Sequence, residues 1–346
     1  MRQQRRRRIR RAVVPFVLSV GAALILIAIE GKNPITTFAS LLIGGVRSLY
    51  SLGGTLGILA TLLLASLSVA FAYRGGLYNL GASGQMLISG FVAVLLLNVL
   101  PLPQVVLLPL VLIAGMTVGA IWAVIPGLLR ALFKVHEALS TTLMNFIAFW
   151  AVQLMPSDSL LLLVPFSRSL RLPFMTGIPL HYGVLVAALM AVGVHLLLEK
   201  SVLGFEVKAA GANRRCAAYA GITRTGSTLV TFAIAGALAG LAGVSFYGGE
   251  LLALELGVLP SGGIDAIAIA LIGSARPLGC VVGSLYVALL RSGAPYMEAV
   301  SGLPTALVDV IVALMVYGSG ISMLMLHFSR RNRNEVKEEG TDVGVN

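Results

Sequence analysis

Apolar residues in this chain gather into runs of helical length, parted by short polar stretches. The runs fall at about 13–29, 52–72, 84–100, 104–126, 137–155, 181–198, 228–247, 256–275, 278–291 and 304–326. At about 1.5 Å of rise per residue, the first covers roughly 26 Å, close to the hydrocarbon thickness of a bilayer. Barrel strands alternate apolar and polar residues, and these runs do not, so a helix bundle is expected. The pattern predicts an all-α integral membrane protein with about ten transmembrane helices.

Composition points the same way. Of 346 residues, 58% are hydrophobic and only 11% charged, with a mean hydropathy of +0.94. Soluble domains carry about 25% charged residues. The net charge of +11 does not indicate nucleic acid, because the basic residues flank the apolar runs and read as topology signals. An even number of spans puts both termini on one side, and 20 of the 25 Lys and Arg fall there. They are seven in the N-terminal tail, Arg74, Arg130, Lys134, five from Lys200 to Arg224, Arg276, Arg330, Arg331, Arg333 and Lys337. Lys32, Arg47, Arg168, Arg171 and Arg291 fall opposite. The positive-inside rule therefore predicts cytoplasmic termini. The start resembles a signal peptide but shows no small-x-small cleavage site before Glu30, so an uncleaved first span is expected. The chain then divides into a basic cytoplasmic tail (1–12), a membrane domain (13–329) and a charged, disordered cytoplasmic tail (330–346).

Two segments, 73–90 and 259–273, interrupt the greasy pattern, each with a Gly-Gly pair before an apolar and a polar residue. These are Gly75-Gly76-Leu77-Tyr78 and Gly262-Gly263-Ile264-Asp265. Four spans (52–155) and four spans (228–326) flank a single one at 181–198, which would give the two blocks opposite topology. Two inverted repeats with Gly-interrupted helices at matching positions point to a transport pathway near the membrane midplane.

Several polar residues lie in apolar surroundings. Asn79, Ser83 and Gln85 sit where the helix pattern breaks, and must face protein, freed backbone groups or a water-filled path. They either cap broken ends or line the pathway. Thr141 and Asn145 share a helix face and either line a pathway or bond a neighbouring helix. Glu137 suits the positive N-terminal end of that helix. Asp265 follows the second Gly-Gly break, so the favoured expectation is a cap on the half-helix, with a pathway or ion site as the alternative. Asp309 stays open between the two. Glu250, Glu255 and Glu298 are expected near the outer surface, solvated.

No catalytic constellation is present. His136, His181, His195 and His327 are scattered without metal-ligand spacing, Cys216 and Cys280 form no disulfide or metal motif, and no GxxxxGK[ST] stretch exists. The charged loop 199–227 is the remaining outlier. In it Asn213 is a plausible N-cap, Arg214 to Ala220 favour helix, and Gly221 is a natural stop. A helix this short needs a surface to pack on, either anionic lipid headgroups or a cytoplasmic partner.

The chain resembles the permease subunits of bacterial ABC importers of the branched-chain amino acid and simple-sugar superfamily, and within it the nucleoside branch served by Bmp-like binding lipoproteins. The likeness is carried by "RGGLYNLGASGQ" (74–85), "VHEALSTTLMNFIA" (135–148), "LGFEVKAAGANRRCAAYAGI" (203–222), "GALAGLAG" (236–243) and "GIDAIAIALIGSARPLG" (263–279). The resemblance implies that the loop helix is the coupling helix that fits a cleft on an ATPase subunit. Gly211, Asn213, Arg214, Arg215, Ala217, Ala218, Tyr219, Gly221 and Ile222 would carry the docking. Arg214 stands where the family usually has proline, Cys216 precedes the Ala-Ala pair, and Ser83 stands where the family usually has glutamate.

The same resemblance implies a non-catalytic permease half in the bacterial cytoplasmic (inner) membrane. It would pair with a second permease, usually a different chain in this branch, two ATPase domains and an extracytoplasmic binding lipoprotein. ATP and magnesium would belong to the ATPase, and this chain would bind no cofactor. Purine nucleosides are the expected substrate, with riboflavin or simple sugars as alternatives on the same architecture. An ion-coupled secondary transporter would explain the repeats and Asp265 but not the docking helix. A lipid-facing scaffold would explain neither Gly-broken segment.

Overall fold

The computed structural model describes residues 17, 20–154, 163–172 and 177–314. The basic tail 1–12, most of the start of the 13–29 run, residue 155, the later part of the 304–326 run and the tail 330–346 lie outside these residues.

The first apolar run contributes α1 (Val20–Ile29), followed by α2 (Pro34–Gly44), a helix the hydropathy pattern did not suggest. Its start is nevertheless written in the chain. Asn33 accepts hydrogen bonds from the Ile35 and Thr36 amides, and proline occupies the first turn, where no amide donor is needed. Next comes α3 (Leu49–Arg74), opened by a reciprocal cap between Ser48 and Ser51. It is apolar all round and mostly buried, which makes it the central post of the bundle.

Around it stand α4 (Ala82–Val99), α5 (Gln104–Phe133), α6 (Glu137–Gln153) and α7 (Gly183–Lys200). The charged loop forms two short helices, α8 (Val202–Ala212) and α9 (Arg214–Tyr219). A long helix follows, α10 (Arg224–Ser245), continued by one π turn over Phe246–Glu250. Then come α11 (Gly262–Ile272), α12 (Pro277–Ser301) and α13, described over 306–314. Helices α3, α4, α5, α7, α12 and the Arg224–Glu250 helix are long and apolar enough to cross a membrane; α6, at 17 residues, and α1, α2 and α11 are shorter. Among the described residues the chain is thus an all-α membrane protein with six helices of spanning length and composition.

Two expectations are corrected. The run at 278–291 is part of a helix that continues to Ser301, because Arg291 is ion-paired inside the bundle and does not end the span. The run at 256–275 yields only the half-helix α11, since 251–261 is irregular up to Pro260.

Candidate functional site

The site is built where two interrupted helices meet. α3 ends at Arg74, with Gly75 as its cap, and Gly76 turns the chain at a left-handed φ of +68°. The segment to Gly81 is not helical, so its backbone groups need partners inside the bundle. The polar residues singled out above supply them. The Asn79 amide donates to Ser68 Oγ (3.1 Å) and Gln85 Oε1 (2.9 Å), and Gln85 Nε2 donates back to Asn79 Oδ1 (2.9 Å). Gly81 N–H also donates to Asn79 Oδ1 at 3.2 Å. Both amides are fully buried.

From α6, Thr141 and Asn145 reach the same break. Leu80 N–H donates to Thr141 Oγ1 (3.3 Å), Asn145 Nδ2 donates to Leu80 O (2.9 Å), and Gly84 N–H donates to Asn145 Oδ1 (2.8 Å). No side chain of α4 itself caps it, so Asn145 acts as an N-cap supplied by another helix. Glu137, the first residue of α6, is buried and pairs with Arg130 at 3.1 Å. Ser83 donates to Pro260 O at 2.9 Å, just before α11, and Gly263 packs directly on Ser83. The first turns of α4 and α11 therefore abut inside the protein. The two Gly-Gly pairs do not occupy matching places: Gly75-Gly76 ends a helix, whereas Gly262-Gly263 opens one.

Asp265 does not cap its half-helix. The residue before that helix, Ser261, makes no side-chain cap, and the Asp265 carboxylate accepts from Arg291 Nε and Nη2, each at 2.6 Å. Arg291 also meets Asp309 at 3.2 Å, so one guanidinium on α12 joins α11 and α13. Asp265 is thus separate in its bonding from the Asn79 group. Glu250 is not a solvated surface acid either. Half-buried, it accepts from the Thr61 hydroxyl at 3.0 Å, while Arg171 donates to the Gly249 and Glu250 carbonyls of the π turn at 3.2 Å. Glu255 and Glu298 are exposed. Thr61, Ser68, Arg171 and Arg291 were missed as partners because hydroxyls in an apolar run and charges at its edge carry no spacing signal.

The loop helix forms as its sequence suggests. Asn213 accepts from the Arg215 and Cys216 amides at 3.0 and 3.2 Å. At its other end Gly221 takes φ +81°, with Gly221 N–H bonded to Ala218 O and Ile222 N–H to Ala217 O, a Schellman ending. Asn213, Arg215, Cys216, Ala218, Tyr219 and Gly221 are exposed, Tyr219 to 94%. Gly211, Arg214, Ala217 and Ile222 instead turn toward the bundle. The nine residues expected to dock thus divide between two faces. Arg214 Nη2 donates to Gly76 O at 3.1 Å. Burial, with Arg130 nearby, holds its guanidinium below the usual range, and Glu137 opposes that shift.

The described residues thus form a multi-helix bundle with internally capped helix breaks and an exposed short loop helix. The family profile described as "Branched-chain amino acid transport system / permease component" matches residues 51–319, and the chain belongs to that family. It is 33% identical over 315 residues to the guanosine ABC transporter permease protein NupP of Bacillus subtilis (strain 168), covering 88% of this chain and 90% of the relative. It is 31% identical over 342 residues to the nucleoside ABC transporter permease protein NupB of Lactococcus lactis subsp. cremoris (strain MG1363), covering 91% and 92%. The glucose ABC transporter permease protein TsgB13 of Haloferax volcanii is 32% identical over 328 residues, covering 87% and 85%. No solved structure matches the chain.

Proposed function

We propose that this chain is the permease half of an ATP-driven importer of purine nucleosides in a bacterial cytoplasmic membrane. The observation that carries the reading is its near full-length similarity to a guanosine and a nucleoside permease. The chain has both termini cytoplasmic in this reading, and pairs with a second, different permease. A separate ATPase docks on the exposed face of α9 and carries all the ATP chemistry. An extracytoplasmic lipoprotein delivers the nucleoside.

The abutting first turns of α4 and α11 favour a pathway beside Ser83 and Gly263, with Asn79, Gln85, Thr141 and Asn145 holding the break open to a fixed shape. In alternating access, ATP binding displaces α9, and the helix breaks, with few regular backbone bonds to lose, bend. Asp265, paired with Arg291, is a structural ion pair in this reading.

The test is uptake of radiolabelled guanosine by cells with and without the chain. Energy-dependent uptake that disappears with the chain and is competed by unlabelled adenosine supports the proposal. Competition by riboflavin or glucose alone would assign the permease to those substrates. Uptake abolished by collapsing the proton gradient while ATP persists would favour an ion-coupled transporter.

A further inference from the structure

Arg214 sits at the start of α9, yet its guanidinium points away from the exposed face and toward the break at the end of α3. Two cations, Arg130 and Arg224, act on it unfavourably and one anion, Glu137, favourably. Ion pairing alone therefore does not explain its position. The hydrogen bond to Gly76 O does: that carbonyl lies just past the last turn of α3, where the helix dipole is negative and attracts a cation.

The contact is not an isolated bond. Gly211, at the end of α8, lies against Arg74 O and the Gly75–Gly76 backbone so closely that no β-carbon fits between them. On its other side the same turn is tied to the turn between α11 and α12, because Arg74 Nε donates to Ala275 O at 2.8 Å. Beyond Gly76, Leu77 is buried, and the chain passes to Asn79 and into α4. The turn at 74–76 therefore touches the loop helices and the turn after α11, and leads along the chain into α4.

We propose that Arg214 is a positioning residue, a strut that joins α9 to the Gly76 turn so that displacement of α9 moves both interrupted helices together. The proposal rests on α9 being the ATPase contact, and assigns Arg214 to transmission and not to docking. A charged hydrogen bond of this kind carries roughly a ten- to hundredfold effect when removed.

The experiment uses the full chain in its native membrane, reading three quantities: ATPase retained on purification, radiolabelled guanosine uptake, and ATP hydrolysed per guanosine taken up. Arg214→Gln is expected to retain the ATPase within about twofold of wild type, to lose about tenfold in uptake, and to raise the ATP used per guanosine. Arg214→Lys, which keeps a donor, should recover part of the uptake. Gly211→Ala should reproduce the split without changing a charge, and carries the test if Arg214→Gln fails to accumulate. Loss of the ATPase from Arg214→Gln, or unchanged uptake in Arg214→Gln, overturns the strut; if Arg214→Gln fails to accumulate, unchanged uptake in Gly211→Ala does so. A wild-type chain that retains no ATPase overturns the importer reading and the strut with it.

Discussion

Asn79 and Gln85 hold each other through two reciprocal amide bonds, so neither can be judged alone. Removing one leaves the other buried without its partner, at about 1–3 kcal/mol, whereas removing both withdraws donor and acceptor together. Asn79→Leu and Gln85→Leu are each expected to lower stability by about 2 kcal/mol, with a double variant losing less than their sum. Thermal denaturation of the three variants in detergent measures this, and strictly additive losses would show that the pair is not a unit. Burial ranks the ion-pair residues in the same way. The Asp265 side chain is 8% exposed and that of Asp309 64%. Arg291→Gln strands a buried carboxylate and should cost about 3 kcal/mol. Asp309→Asn removes an exposed partner and should cost under about 1 kcal/mol in the same assay.

Helix contacts here depend on missing side chains as well as on filled cores. α5 and α10 cross with Gly119 against the Gly236 carbonyl and Gly240, where an added β-carbon would lie 2.8 Å from the Gly240 α-carbon. Gly119→Ala must push the helices apart, at about 1–3 kcal/mol. Gly193, in α7, has nothing within 4 Å of that position, so Gly193→Ala should instead stabilise by about 0.5–1 kcal/mol. Equal effects from the two substitutions would refute the close crossing. Legibility also divides at this scale. The cores of α3, α4, α5, α7 and α10 were readable because apolar length alone defines them. The α2 helix was not, since Thr36, Thr37 and Ser40 dilute its hydropathy, although the Asn33-Pro34 start was a usable signal. Asn79, Ser83, Gln85, Thr141 and Asn145 were each legible as polarity in the wrong place, but their convergence on one helix break was not. Nor were their partners, because Leu80, Gly84 and Pro260 contribute only backbone atoms. Arg214 shows the limit most clearly: its residue type announced a charge, but which face of a six-residue helix it occupies is set by where α9 lands.

Orientation of the whole molecule in the membrane follows from the charges gathered with the loop helices, and the chain carries its own reporter of it. Cys216 is exposed on α9, beside Arg215, whereas Cys280 is buried in α12. If the basic end faces the cytoplasm, a membrane-impermeant maleimide should leave Cys216 untouched in intact cells and label it in inside-out vesicles. Cys280 should stay unlabelled in both until the protein is denatured, so Cys216→Ser should abolish the native signal. Labelling of Cys216 from outside intact cells would invert the topology and remove α9 from reach of any ATP-driven partner. A second prediction uses the same site. An ATPase seated on the exposed face formed by Arg215, Ala218 and Tyr219 would cover Cys216, so labelling in vesicles should slow when the ATPase is kept on the membrane and recover when it is stripped. Equal rates in both states would place the partner elsewhere. The exposed side of α9 would then be a lipid-headgroup contact, a role its basic composition equally permits.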